Sequence, residues 1–211
     1  MHKSAGNKGK LTIDRPIVLV GMMGAGKTSV GIRLAKAMGL TFIDTDDEIE
    51  KAANMSIPEI FDSHGEDYFR DGERRVLARL LQGEVSILAT GGGAFMDKET
   101  RKLIKQKAYT FWLRVPLDEL VRRVKRKPNK RPLLKGGKVK EKLAALLVER
   151  EPIYELADIV ISSTTDSHED VVAMILNHLD TPSETATKNN DETVNTTAQI
   201  NSGLDKPSAK A

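Results

Sequence analysis

Gly21-Met22-Met23-Gly24-Ala25-Gly26-Lys27-Thr28 fits the phosphate-binding pattern G-x-x-x-x-G-K-S/T. Each residue type in it has a separate physical job. The glycines let successive backbone N–H groups curl around phosphate oxygens, Lys27 reaches the β and γ phosphates, and the Thr28 hydroxyl holds Mg²⁺. Two acids, Asp44 and Asp46, follow a second apolar run. At i and i+2 on an extended chain end they point the same way, so one can orient Mg²⁺ or its waters while the other takes a hydrogen bond from an attacking hydroxyl. The competing reading is that these acids cap a helix running from Asp47 through Ile49. The triplet Gly91-Gly92-Gly93 ends a third apolar run and suits a close approach of backbone to ligand, or equally a flexible turn.

Three arginines complete the inventory. Arg70, in Phe69-Arg70-Asp71-Gly72-Glu73, is read either as a solvated helix residue or as a planar fork for a carboxylate or phosphate. Arg131, in Arg131-Pro132-Leu133-Leu134, lies in a basic run without an acid between Val121 and Lys140. No aromatic residue interleaves with these charges, which argues against base stacking, and its prolines and glycines suit a mobile flap over a phosphoryl-transfer site. Arg150 precedes Pro152, which is expected to break or kink a helix and leave Arg150 at a terminus. The four histidines, His2, His64, His168 and His178, have no ligand spacing.

The elements that must position these residues alternate. Strand-like runs at 16–20, 41–43, 85–89, 109–113 and 159–161 are separated by helical patterns. The first helix follows the phosphate loop, with Val30, Leu34 and Met38 at helical spacing and Gly39 as its stop; others lie around 57–82, 97–107, 117–126, 139–157 and 167–179. Five strands with intervening helices predict a parallel sheet covered on both faces, a three-layer α/β/α arrangement with ligands beyond the carboxyl ends of the strands.

Composition bounds the class. The chain has 211 residues, 39% hydrophobic, enough for one substantial core. A net charge of +3 from 33 basic and 30 acidic residues argues against a dedicated nucleic-acid binder. No cysteine is present, which excludes disulfides and thiolate chemistry. No apolar run approaches a membrane span and the first ten residues lack a secretory apolar segment, so a cytoplasmic protein without a membrane partner is expected. The organisation expected is a loose lead at 1–14, a domain at 15–180 with a lid at about 122–140, and a disordered tail at 181–211. That tail has no aromatic residue and few aliphatics beyond Val194, Ile200 and Leu204.

In this order the segments resemble the shikimate kinase family, small nucleoside-monophosphate-kinase-like P-loop proteins. The resemblance covers residues 15–180 and rests on the phosphate loop, Phe42-Ile43-Asp44-Thr45-Asp46, Phe-Arg-Asp-Gly-Glu, the glycine triplet, and Arg-Pro-Leu-Leu followed by Arg-Glu-Pro-Ile-Tyr. It implies ATP-dependent phosphorylation of the shikimate 3-hydroxyl with Mg²⁺, on the way to chorismate and aromatic amino acids. Residue by residue, it implies that Gly24, Ala25, Gly26, Lys27, Thr28 and Ser29 bind ATP and that Thr28 and Asp44 serve the metal. Asp46 would bind ring hydroxyls and accept the proton. Arg70 and Arg150 would clamp the carboxylate over Gly91, Gly92 and Gly93, and Arg131 would bridge both substrates from the lid. Arg126, with Arg123 as its competitor, is the candidate for stacking on adenine. Met23 departs from the proline many members carry, at a position where only backbone meets ligand. Rival readings are a kinase for another polyol acid such as gluconate, a nucleotide kinase, or a P-loop switch or nucleic-acid binder. A monomer is expected.

Truncation after Asp180 is predicted to leave melting temperature, nucleotide affinity and turnover nearly unchanged, because the removed segment has little apolar surface with which to dock. A drop of many degrees would move the boundary.

Overall fold

The computed structural model describes residues 13–126, 138–162 and 167–180. The compact unit runs Met1–Thr181, and the remainder, Pro182–Ala211, lies outside the described residues. So do the lead through residue 12 and residues 127–137, the centre of the expected lid, which includes Arg131.

Five strands form one parallel sheet: β1 (Ile17–Val20), β2 (Thr41–Asp44), β3 (Ser86–Ala89), β4 (Tyr109–Arg114) and β5 (Ile159–Ser162), in the order β2-β3-β1-β4-β5. All four residues of β1 are fully buried and β3 is buried throughout, as expected of central strands covered on both faces. Register pairs Leu19 with Ala89 and with Phe111, and Asp44 with Ala89. The ends of β1, β2 and β3 therefore fall at one edge. The chain leaves β1 towards β2 and leaves β3 towards β4, so the two connections diverge there and open a crevice. Right-handed crossovers put α1 (Lys27–Met38) and α4 (Lys98–Lys107) on opposite faces.

The helices follow their sequence patterns. Helix α1 buries Val30, Leu34, Ala35 and Met38 and ends at Gly39, whose φ is 68°. Helix α2 (Thr45–Ala53) begins immediately after β2, two residues earlier than expected. Helix α3 (Ile57–Leu80) opens with a capping box between Ser56 and Glu59 and is interrupted at Gly65, where φ is 81°. Residues 69–73, which carry Arg70, are continuous helix. Helices α5 (Leu117–Lys125), α6 (Val139–Tyr154) and α7 (His168–Asp180) complete the order. Pro152 does not break α6, which continues to Tyr154. Near a helix end only the Val148 carbonyl loses its donor, and Val148 is exposed, so water satisfies it. Among the described residues no helix is long and apolar enough to cross a membrane.

A main core built on β1, β3 and β4 includes Leu34, Leu88, Ile104, Phe111 and Trp112. A smaller cluster of Ile49, Ile60, Phe69 and Val76 joins α2 to α3, and it fixes the two helices that carry Asp46 and Arg70.

Two helical glycines give opposite expectations. A Cβ on Gly31 would lie 2.5 Å from the Phe42 ring, whereas one on Gly72 would meet nothing within 4 Å. Gly31→Ala is expected to lose about 1 kcal/mol net, overpacking outweighing helix propensity, while Gly72→Ala gains about 0.5–1 kcal/mol. Urea midpoints of the two variants check the sign.

Candidate active site

The phosphate loop leaves fully buried Val20 and returns as α1. Gly26 is the N-cap of α1 in left-handed conformation, φ 94°, and its Cα offers no side chain to compete for the first amides. The N–H groups at the start of α1 thus face the cradle, where the macrodipole favours anions. Lys27 Nζ donates to the carbonyls of Gly21 at 2.8 Å and Met22 at 3.1 Å, which holds the ammonium across the loop. Gly24 and Ala25 lie in the loop and Ser29 in the first turn of α1, with the Ala25 amide donating to the Met22 carbonyl at 3.1 Å.

Asp44 ends β2 and caps α2, its Oδ1 accepting from the Asp46 amide at 3.2 Å. Its Oδ2 accepts from the Thr28 hydroxyl at 2.9 Å, so the cap also ties β2 to the phosphate loop. The capping reading thus holds for Asp44. The extended-chain geometry expected for Asp46 is not what forms: the helix starts at Thr45, and Asp46 stands in its first turn. Burial pushes the Asp46 carboxyl up to about 6, helped by the neighbouring Asp44 charge and opposed by Lys27. A carboxylate near that value can exchange a proton near neutral pH.

The Gly91–Gly93 triplet forms the floor between these parts. Thr90 anchors its start, the hydroxyl donating to the Leu19 carbonyl at 3.2 Å. A Cβ on Gly91 would lie 2.9 Å from Asp46 Oδ1, and one on Gly93 would lie 2.6 Å from an Arg70 nitrogen. Arg70 donates from Nη1 to Glu73 at 2.7 Å and from Nη2 to Glu66 at 3.1 Å. Glu73 is 1% exposed, and burial raises its carboxyl above the ordinary range despite the Arg70 charge beside it. From α6, Arg150 donates to the Gly92 carbonyl at 3.3 Å, and the buried Tyr154 hydroxyl donates to the same oxygen at 2.5 Å. Tyr154 stacks on Trp112 with ring centroids 5.7 Å apart, and burial pushes its phenol up to about 12. Arg70 and Arg150 thus reach one strip of backbone from α3 and α6, with Asp46 over its first residue.

Glu73 and Tyr154 were quoted within sequence motifs but assigned no role. Their spacing is the signal: Glu73 is i+3 from Arg70 and Tyr154 is i+4 from Arg150, so each shares a helix face with its arginine. On the nucleotide side, Arg126 is exposed at the C-cap of α5, whereas Arg123 is half-buried, pairs with Glu119 and donates to the Ala25 carbonyl at 3.4 Å. Arg131 lies outside the described residues.

A phosphate cradle at the edge of a parallel sheet, with a second, arginine-flanked polar pocket beside it, defines a P-loop kinase acting on a small molecule. The family model described as shikimate kinase matches residues 23–180. The shikimate kinase of Rhodopseudomonas palustris is 56% identical over 159 residues, covering 75% of this chain and 78% of its own. That of Novosphingobium aromaticivorans is 51% identical over 172 residues, covering 80% and 89%. The solved shikimate kinase from Acinetobacter baumannii in complex with shikimate superposes with a TM-score of 0.74 at 38% identity, covering 78% of this chain and 92% of that one. The chain belongs to the shikimate kinase family.

Tyr154→Phe removes one of two donors to the Gly92 carbonyl, the fully buried one, and is expected to cost about 1–2 kcal/mol in urea unfolding. Tyr109→Phe, whose hydroxyl bonds Asp14 at the surface, is expected to leave the midpoint almost unchanged.

Proposed function

We propose that the chain transfers the γ-phosphoryl group of ATP to the 3-hydroxyl of shikimate, giving 3-phosphoshikimate and ADP. The observation that carries this reading is the bracketing of the Gly91–Gly93 floor by Arg70 and Arg150 on one side and Asp46 on the other, beside the phosphate cradle. A substrate with one carboxylate and several ring hydroxyls matches that inventory. Two guanidiniums take the acid, and the carboxylate of Asp46 takes hydroxyls. Each charge-assisted hydrogen bond contributes about 1.5–3 kcal/mol, so the clamps select strongly for the acid.

In this reading the Lys27 ammonium exchanges its loop carbonyls for β- and γ-phosphate oxygens, and the amides of Gly24 to Ser29 hold the chain of phosphates. The Thr28 hydroxyl and Asp44 carboxylate, 2.9 Å apart, form a corner of hard oxygen donors that fits Mg²⁺. Among the described residues there is no group of three or more His, Cys, Asp or Glu able to cage a metal. One hydroxyl and one carboxylate leave coordination positions for phosphate oxygens and water, the usual Mg²⁺ arrangement. The ion supplies charge neutralisation at the β and γ phosphates. Asp46 accepts the 3-hydroxyl proton as the new O–P bond forms and the bond to the β-phosphate oxygen breaks; the proton then leaves to solvent. Glu73 holds the Arg70 fork in plane. Arg123 is the better-supported guanidinium on the nucleotide side, ahead of Arg126. Arg131, for which the resemblance implies a bridging role, lies outside the described residues. Cytoplasmic location and a monomeric state belong to the same proposal, supported by the sequence composition.

A coupled ADP-release assay over shikimate, quinate, gluconate and nucleoside monophosphates tests the substrate. Shikimate is expected to lead, and a faster rate with gluconate or a nucleotide would overturn the choice. For Asp46, kcat/KM is expected to fall about tenfold per pH unit below about pH 6 as the base becomes protonated. Asp46→Asn is expected to cost about a hundredfold or more in kcat, while exposed Asp47→Asn changes little. Because the folded-state value of Asp46 is raised, its stabilisation is present below pH 3.8 and lost as pH rises through about 6. The same Asp46→Asn variant should therefore melt higher than wild type at pH 7.5. Equal melting and equal turnover would leave Asp46 as a plain helix residue.

A further inference from the structure

The two arginines beside the glycine floor are held differently. Arg70 places its fork on Glu73 and Glu66, at 2.7 Å and 3.1 Å. Arg150 is 9% exposed, and among the described residues no carboxylate pairs with it. Its Nε is buried without an acceptor. Its hydrogen bond to the Gly92 carbonyl, from Nη1 at 3.3 Å, is longer than the usual N–H range of about 2.7–3.2 Å. A buried charge so loosely met is costly, and an arriving carboxylate relieves that cost.

Tyr154 stands one helical turn beyond Arg150, on the same face of α6. Its hydroxyl donates to the same Gly92 oxygen at 2.5 Å, much the closer of the two donors. The ring is fully buried and stacked on Trp112 of β4, with the planes 26° apart, so packing fixes where the hydroxyl points. Burial raises the phenol to about 12 despite the Arg150 charge beside it, so the hydroxyl keeps its proton throughout the neutral range. The guanidinium also lies against the open face of Gly92, where a Cβ would sit 3.5 Å from Nη1. Arg150 is therefore near enough to close onto the carbonyl, and the phenol already holds that oxygen.

We propose that Tyr154 is a positioning residue that sets the preference for an anionic substrate. By satisfying the Gly92 carbonyl, its hydroxyl leaves the Arg150 guanidinium only loosely tied, with N–H groups available to a substrate carboxylate. Without the hydroxyl, Arg150 becomes the remaining donor to that carbonyl and closes onto it, so the backbone oxygen competes with the substrate for the same fork. The proposal rests on the reading of Arg150 as a carboxylate clamp.

The test measures kcat and KM on the full chain for shikimate and for its methyl ester, which lacks the charge. Phe keeps the ring and its stack on Trp112, and a loss of about 1–2 kcal/mol leaves a domain of ordinary stability folded; melting temperatures verify this. In Tyr154→Phe the shikimate KM is expected to rise about tenfold, the size of one charge-assisted bond. The ester KM, the ATP KM and kcat should stay within about twofold. In an Arg150→Ala background the same substitution should leave the acid-to-ester ratio unchanged, because the group through which Tyr154 acts is gone. An equal rise for acid and ester would mark a purely structural role and overturn the proposal. So would an unchanged shikimate KM in folded Tyr154→Phe, or an effect that persists without Arg150. Wild-type protein that treats acid and ester alike would remove the clamp reading and this proposal with it. Discrimination by wild type that Tyr154→Phe retains in full would sink this assignment alone.

Discussion

The site depends on how closely the backbone of Gly91, Gly92 and Gly93 approaches the polar side chains around it. Asp46 and Arg70 both lie nearer than any side chain on the triplet would allow, and the Gly92 carbonyl receives two buried donors. Glycines here carry an entropic cost of roughly 0.5–1 kcal/mol each relative to alanine. The neighbours add to it: Glu73 is buried and ionisable, the Arg150 Nε is buried without a partner, and Asp46 is pushed towards neutrality. Such costs persist where the scaffold over-determines the geometry. The scaffold here is the parallel sheet, whose register brings β1, β2 and β3 to a common edge beneath the floor.

That edge also divides the work. The loop after β1 takes phosphate, the turn after β2 supplies the acids, and the turn after β3 supplies the floor. Thr28 and Asp44 join the first two through one hydrogen bond at 2.9 Å. The α2–α3 pair carries Asp46 and Arg70 on its own small core, separate from the main one.

Much of this was legible in the sequence because the signals are local. Val30, Leu34 and Met38 announce α1, the glycine at 39 ends it, and the phosphate loop reads directly as a motif. What escaped depends on long-range packing or on competition between local rules. Asp44 caps α2, and the Thr28 hydroxyl that also bonds it arrives from sixteen residues away. Asp46 was placed on an extended end, but capping by Asp44 starts the helix at once. Pro152 was expected to break or kink α6, yet a proline near the last turn forfeits only one hydrogen bond. The role of Tyr154 could not be read because Gly92 lies 62 residues away, and the preference for Arg123 over Arg126 rests on a contact to Ala25 across 98 residues.

Reading a carboxylate through Arg70 and Arg150 is the central chemical claim, and kcat/KM for shikimate against its methyl ester tests it most directly. Esterification leaves the ring and all three hydroxyls intact and removes only the charge. Loss of two charge-assisted contacts predicts a fall of about a hundredfold or more for the ester, with the larger part in KM. Comparable values for acid and ester would contradict the assignment of both arginines to the substrate.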